Sequence, residues 1–269
     1  MDDTATPARL ANLRSWNLGV GSLHLVQGIV ILAISSAFAI PIVATVQTGP
    51  PGAEGSLSVS KQFFEFDFPI AIAIFLFLAA GDHLLMALPP VRRWYEANLR
   101  RGINYARWIE YSVSASIMIL LIGLLNGINN LYAMMAIFGA NAAMILFGLV
   151  MEQVNRDRTE VNWWPFIFGC IVGIVPWIAI TVALVTASTD STMIDGVAAN
   201  PDGVPTFVYA IVISLFLLFN CFAINQWLQY RGRGRFADYL YGEKVYLVLS
   251  LVAKSALAWQ IFAGTLANG

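Results

Sequence analysis

The chain has 269 residues, of which 58% are hydrophobic and 12% charged, with a mean hydropathy of +0.71. Soluble domains carry about twice that share of charge, so the composition excludes an ordinary water-soluble fold and points to a chain whose outer solvent is lipid. A net charge of -1 supplies no basic field for nucleic acid, and Cys170 and Cys221 stand in apolar runs without the CxxC or Cys/His spacing of a zinc or redox site. Two buried free thiols and no bound metal are expected.

The opening segment, MDDTATPARLANLRS, is short and begins with acidic residues. The apolar run behind it is too long for the core of a signal peptide and is expected to be a membrane span. With about 20 mainly apolar residues as the unit, this first span is expected over 16–46, followed by a Gly/Pro/Ser-containing loop over 47–67. A second span over 68–88 is stopped by Pro89 and Pro90, and a charged connector, VRRWYEANLRRG, occupies 91–102. Between Glu110 and Glu152 lie 41 residues without formal charge, enough for two spans. NGINN at 126–130 divides them, because Asn and Gly tolerate tight turns, giving spans over 103–126 and 130–151. The remaining spans are expected over 163–187, 205–228 and 243–266. Gly169 and Gly173 form a GxxxG pair that permits close helix approach, Pro176 beside Trp177 allows a kink, and Trp163 and Trp164 read as interface anchors. The fold class is thus all-α, a seven-transmembrane-helix bundle forming one domain over 1–269.

Arginine placement gives orientation independently. Arg9 and Arg14 precede span one, Arg92, Arg93, Arg100 and Arg101 follow span two, Arg156 and Arg158 follow span four, and Arg231, Arg233 and Arg235 follow span six. The opposite loops carry Lys61 as their one basic residue, against Glu54, Glu65, Asp67, Asp190, Asp195 and Asp202. Positive charge marks the cytoplasmic side, so the N-terminus is expected inside and the C-terminus outside, which requires an odd number of spans.

A charge placed in hydrocarbon needs a partner. Lys254 lies 11 residues beyond Glu243, which at helical rise is about 16 Å into the membrane, too deep for easy snorkelling. Glu110 lies about 10 Å into span three, with His24 in span one at similar depth and His83 in the inner half of span two. A lysine in an apolar site can be a neutral amine that condenses with an aldehyde, and the resulting cation would need a carboxylate such as Glu110. Ser250, one turn before Lys254, and Ser114, one turn after Glu110, can hydrogen-bond to that pair, and Asn141 can add a polar contact from span four. Trp259, Met118, Met144 and Phe216 can line a slot for a long conjugated ligand. On the residues alone three readings stay open: a structural ion pair, a proton path of a transporter, or a covalent chromophore site. His24 and His83 read either as packed core histidines or as a polar cluster with Glu110 that holds or passes a proton. Arg107, one turn before Glu110, either raises the local positive potential of that cluster or serves as a plain inner-face arginine. Asp82, beside His83 in sequence, must face another direction, either as a plain boundary acid or as a buried functional group of its own.

SLVAKSALAWQIFAGTL at 250–266 and RWIEYSVSASIMI at 107–119 closely resemble the retinal-lysine helix and the counterion helix of the heliorhodopsins, and LHLVQG at 23–28 and GDHLL at 81–85 resemble the segments carrying that family's two inner-half histidines. The resemblance covers essentially the whole chain. It implies all-trans retinal covalently linked to Lys254, Glu110 as counterion of the protonated Schiff base, and light-driven isomerisation to 13-cis with transient proton movement toward His24 and His83. It also implies an N-terminus inside, in agreement with the arginine count, and a slow-cycling sensor rather than an enzyme or pump. A homodimer in a microbial plasma membrane is implied, with loop 47–67 forming a small β hairpin toward the partner; SLSVSKQFF at 56–64 alternates as a strand does. A light-driven or passive ion transporter is the alternative. Span three has no second carboxylate further outward, which disfavours a pump. The connector at 91–101 and the loop at 231–244 face inward without an enzymatic signature, leaving any downstream signalling protein unidentified.

Overall fold

The chain starts its helices where capping chemistry allows them. The computed structural model describes residues 6–50, 52–189, 193–194, 197–198 and 203–267. Pro7 fits the first turn of α1 (Pro7–Ile34). Asp67 accepts from the Ile70 N–H to begin α2 (Phe68–Ala87), and Pro89 opens a short α3 (Pro89–Leu99). Asn104 accepts from the Arg107 N–H to begin α4 (Tyr105–Leu125). Asn130 accepts from the N–H groups of Tyr132 and Ala133 to begin α5 (Leu131–Asn155). Then follow α6 (Trp164–Thr189), with Pro176 in its interior, and α7 (Thr206–Tyr230). The Asp238 cap begins α8 (Tyr239–Ile261), which a π-helical turn continues to Leu266. Such side-chain caps satisfy backbone donors that a helix start leaves unpaired.

Seven of these helices are long and apolar enough to cross a bilayer, and the protein is a multi-pass membrane protein. Large apolar side chains such as Val26, Ile29, Ile171, Val182, Ile213 and Leu217 remain exposed on the outside of the bundle, as expected of helices solvated by lipid. α1 packs on α2 and α8, α4 on α2 and α5, α6 chiefly on α5, and α7 chiefly on α8.

The first span is shorter than the sequence suggested. It ends at Ile34, and part of the apolar run assigned to it forms β1 (Ala39–Gln47), antiparallel to β2 (Ser58–Asp67). The β-branched run IPIVATV has no charge to mark the change from helix to strand. The hairpin is therefore longer than loop 47–67, and its second strand runs three residues past the expected end at Phe64. It docks on the turn between α4 and α5. Val43 N–H donates to Asn129 O at 3.0 Å and Asn129 Nδ2 donates to Pro41 O at 3.0 Å, in a turn where Gly127 takes φ 82°, a backbone region suited to glycine. A second short hairpin pairs β3 (Met193–Ile194) with β4 (Val197–Ala198). The charged connector, for which the sequence predicts no element, forms helix α3, with Tyr95, Asn98 and Leu99 buried. Of the two thiols expected to be buried, Cys221 is half-buried and Cys170 is exposed on the bundle surface.

The core divides along the bundle axis. Toward the hairpin, Ile31, Phe75, Ile122, Leu215 and Ile261 belong to one apolar cluster. Toward the arginine-bearing connectors, Leu10, Leu13, Tyr95, Leu99 and Leu240 form a smaller cluster, and the buried His24, His83 and Ser250 fall between the residues of the two clusters along their helices.

Candidate functional site

Helical phase brings Lys254 of α8 and Glu110 of α4 to the centre of the bundle, 3% and 8% exposed. Lys254 Nζ donates to Glu110 Oε2 at 3.2 Å and to Ser250 Oγ at 3.0 Å, and it lies 4.7 Å from the centre of the Tyr111 ring. The amine is thus held by a carboxylate, a hydroxyl and an aromatic face, a set that favours a cation. Tyr111 OH donates to Tyr246 O at 3.0 Å, tying α4 to α8 beside the pair. Glu110 Oε1 and the fully buried Ser114 Oγ have no hydrogen-bond partner among the described residues. Ser250 therefore contacts the pair and Ser114 does not hydrogen-bond to it. Asn141 is buried one layer away, where its Nδ2 donates to Ser116 Oγ at 3.0 Å.

His24 and His83 stack with ring centroids 5.9 Å apart, and both are buried. Asn17, which sequence reasoning did not single out, sets the His83 tautomer. Its Nδ2 donates to Leu13 O at 3.1 Å, which turns its Oδ1 toward His83 Nδ1 at 3.0 Å. Nδ1 therefore carries the hydrogen of a neutral ring and Nε2 presents a lone pair. His83 Nε2 and both His24 nitrogens are buried without a partner among the described residues. Asp82 does not point wholly away, because its Oδ2 lies 3.7 Å from His83 Nδ1.

Arg107 lines one small cavity with Asp82 and His83, but its hydrogen bonds go elsewhere. Its guanidinium bridges Glu152 of α5 and Glu243 of α8 and lies 3.9 Å from the Tyr246 ring centre and 4.5 Å from that of Trp108. Glu152 also accepts from the Asn104 N–H at 2.9 Å, Trp108 Nε1 at 2.7 Å and Tyr239 OH at 3.2 Å, and Glu243 accepts from Asn104 Nδ2 at 2.7 Å. The two glutamates stand near span ends, where they read in sequence as ordinary boundary charges.

One cavity adjoins the lysine and a second continues from it. The first, of about 70 Å³, has Lys254, Ser250, Tyr111, Met118 and Met144 in its walls. The second, of about 350 Å³, continues between α5, α6 and α7 to Gly169, Gly173, Trp177 and Phe216, and Trp108, Met144, Ile145, Phe219 and Phe222 line both. The sequence-predicted Met118, Met144 and Phe216 thus line apolar space. Gly173, in the wall of the second cavity, lets the Met144 side chain pack against α6, since a Cβ there would collide with it. Trp259 does not reach either cavity. It is 38% exposed and its Nε1 donates to Gln27 Oε1 at 3.0 Å, because five residues of helix rotate it about 140° from Lys254.

No curated protein shows a significant match to this chain. A heliorhodopsin family model matches residues 13–266, and with the match running through all seven spans the chain belongs to the heliorhodopsins, retinal-binding membrane photoreceptors rather than enzymes.

Proposed function

We propose that the protein is a slow-cycling light sensor that holds all-trans retinal covalently on Lys254 as a protonated Schiff base, with Glu110 as its counterion. The observation that carries this reading is the buried Lys254–Glu110 pair, 3.2 Å apart, at the mouth of apolar space. The residues fit the group. Lys254 Nζ stands in a cavity wall, the cavity continues through shared aromatic and methionine side chains into a larger one, and Glu110 Oε1 and Ser114 Oγ supply further polar capacity beside it. When bound, retinal supplies absorption of visible light and isomerisation from all-trans to 13-cis.

The chain's own groups govern the proton. Glu110 holds it at Nζ by charge, and Ser250 Oγ fixes the direction of the amine. His83 Nε2 offers an open lone pair to accept the proton, with His24 stacked beside it. Tyr111 packs against the amine and holds α4 on α8.

Arginine asymmetry supports an N-terminus inside and a C-terminus outside a microbial plasma membrane. The hairpin exposes Leu57, Phe63 and Phe64, which supports its use as a contact in a homodimer. A downstream signalling protein would then meet the face bearing α3 and the segment 231–238, which is shorter than the expected 231–244 loop because α8 begins at Tyr239. Against a transporter stands the hairpin half of the bundle, where no buried ionisable side chain occurs among the described residues.

The test is the visible spectrum of the purified protein after addition of all-trans retinal, beside Lys254→Ala. A shifted visible band that requires Lys254 is expected, with no light-driven ion flux in vesicles. Folded wild-type protein without such a band would overturn the photoreceptor site, and sustained flux would favour the transporter.

A further inference from the structure

Among the described residues, the buried interior of the arginine-bearing half holds four carboxyl groups against two cations. Its cations are Lys254 and Arg107, both buried. Its carboxyls are Glu110, Glu152 and Glu243, also buried, and Asp82, whose side chain is 13% exposed. An ionised carboxylate without a compensating partner is so costly in a low-dielectric interior that the group holds a proton instead. Lys254 faces Glu110, while Glu152 and Glu243 share the charge of Arg107; hydrogen-bond donors then decide which carboxyl is left without support. Glu152 accepts from Arg107, the Asn104 N–H, Trp108 and Tyr239, and Glu243 accepts from Arg107 and Asn104 Nδ2. Glu110, Glu152 and Glu243 are thus supported as carboxylates. Asp82 has neither a salt bridge to Lys or Arg nor a cluster of donors among the described residues. Its ionisable neighbour is His83, whose Nδ1 is 3.7 Å away and whose hydrogen is committed to Asn17.

We propose that Asp82 carries a proton in the resting protein and is the carboxyl that answers a positive charge on His83. Asp82 and His83 form one wall of a cavity of about 10 Å³, close to the space of one water. Asn104, Arg107, Glu243 and Tyr246 form the wall toward the arginine-bearing end, with Tyr95 from α3 at the side. Burial pushes the Tyr95 phenol far above its ordinary range, so it stays neutral. The remaining titratable groups around Asp82 are His24 of α1, Glu110 and Tyr111 of α4, and Lys254 of α8.

The consequence for proton movement is specific. When His83 takes a proton at Nε2, the ring becomes a cation while its Nδ1–H stays on Asn17. The charge on the ring makes Asp82 a stronger acid; its O–H bond breaks, its proton crosses the small cavity to a lone pair of Glu243 not used by Arg107 or Asn104, and Asp82 remains as the anion beside the imidazolium. The charge on the ring is balanced locally, and a proton has advanced one step toward the arginine-bearing end. This second half rests on the retinal reading, because light must deliver the proton to His83. The resting protonation of Asp82 does not.

Infrared spectra of the purified, retinal-loaded protein at neutral pH test both halves. In the dark, a carboxylic-acid carbonyl band present in the wild type and lost in Asp82→Asn is expected. Under illumination the same band should bleach. Asp82→Glu should shift the band rather than remove it, and it carries the test if the asparagine variant does not fold. Identical carboxylic-acid bands in wild type and both variants would overturn the proposal, as would a band lost instead in Glu243→Gln or Glu152→Gln. Failure of the retinal reading would appear separately, as a dark Asp82 band in a protein with no visible absorption.

Discussion

Toward the hairpin the helices meet through Ile31, Phe75, Ile122, Leu215 and Ile261, all essentially inaccessible, and the polar contacts there are neutral, such as the hydrogen bonds exchanged by Ser214 and Gln260. Toward the arginine-bearing end the same helices meet through Asn17, His24, His83, Arg107, Glu152 and Glu243. One half is held by shape, the other by charges that each depend on a partner. In lipid the distinction matters more than in water, because apolar contacts between helices gain little from expelling a solvent that is itself apolar. A site that holds and moves one proton needs the charged half alone, whereas a transport path needs ionisable or hydrated groups through both.

This contrast can be broken by mutation. The largest effect is expected from Arg107→Ala, which leaves the Glu152 and Glu243 carboxylates buried without their cation; a loss of about 3–5 kcal/mol follows, read by denaturant unfolding in micelles. Arg107→Lys should restore only part of it, because an ammonium lacks the planar fork that spans two carboxylates. A change within error for Arg107→Ala would mean the charged half is not held by this cluster. Next is Gly148→Ala. A Cβ there collides with the Trp108 ring, which lines both cavities and donates to Glu152. Overpacking should cost about 1–3 kcal/mol and displace the visible band, both measurable on one sample.

Smaller effects are expected at the hairpin end. Asn130→Ala removes the cap of α5 and should cost about 1 kcal/mol in the same unfolding assay, with the visible band unmoved. At Gly139 a Cβ meets nothing within 4 Å, so Gly139→Ala should stabilise α5 by about 0.5–1 kcal/mol. A spectral shift in either variant would show that the two halves are coupled more tightly than their packing implies.

Much of this was legible in the sequence because lipid imposes a coarse and reliable signal. Long charge-free runs gave seven spans, and the depths of Lys254 and Glu110 along their helices predicted their meeting. The same coarseness hid the end of α1, since an apolar β-branched run carries no mark of whether it is helix or strand. It also hid α3, whose alternating charged and aromatic residues look like a loop until Tyr95 and Leu99 are seen to pack beneath it. Trp259 was assigned to the cavity by residue type, although its helical phase places it on the outer face. Arg107 was assigned by nearness to Glu110 along the chain. Its true partners come from α5 and α8, and pairing across helices is a tertiary fact that no single span contains.

The central claim, that Lys254 is the residue that holds retinal, is tested most directly by reducing the retinal-loaded protein with borohydride and mapping the modified peptide by mass spectrometry. The sequence offers three lysines, and Lys61 and Lys244 serve as internal controls. The account predicts a retinyl group on the peptide carrying Lys254 and none on the other two; a label on Lys61 or Lys244, or no label on folded protein with a visible band, would contradict it.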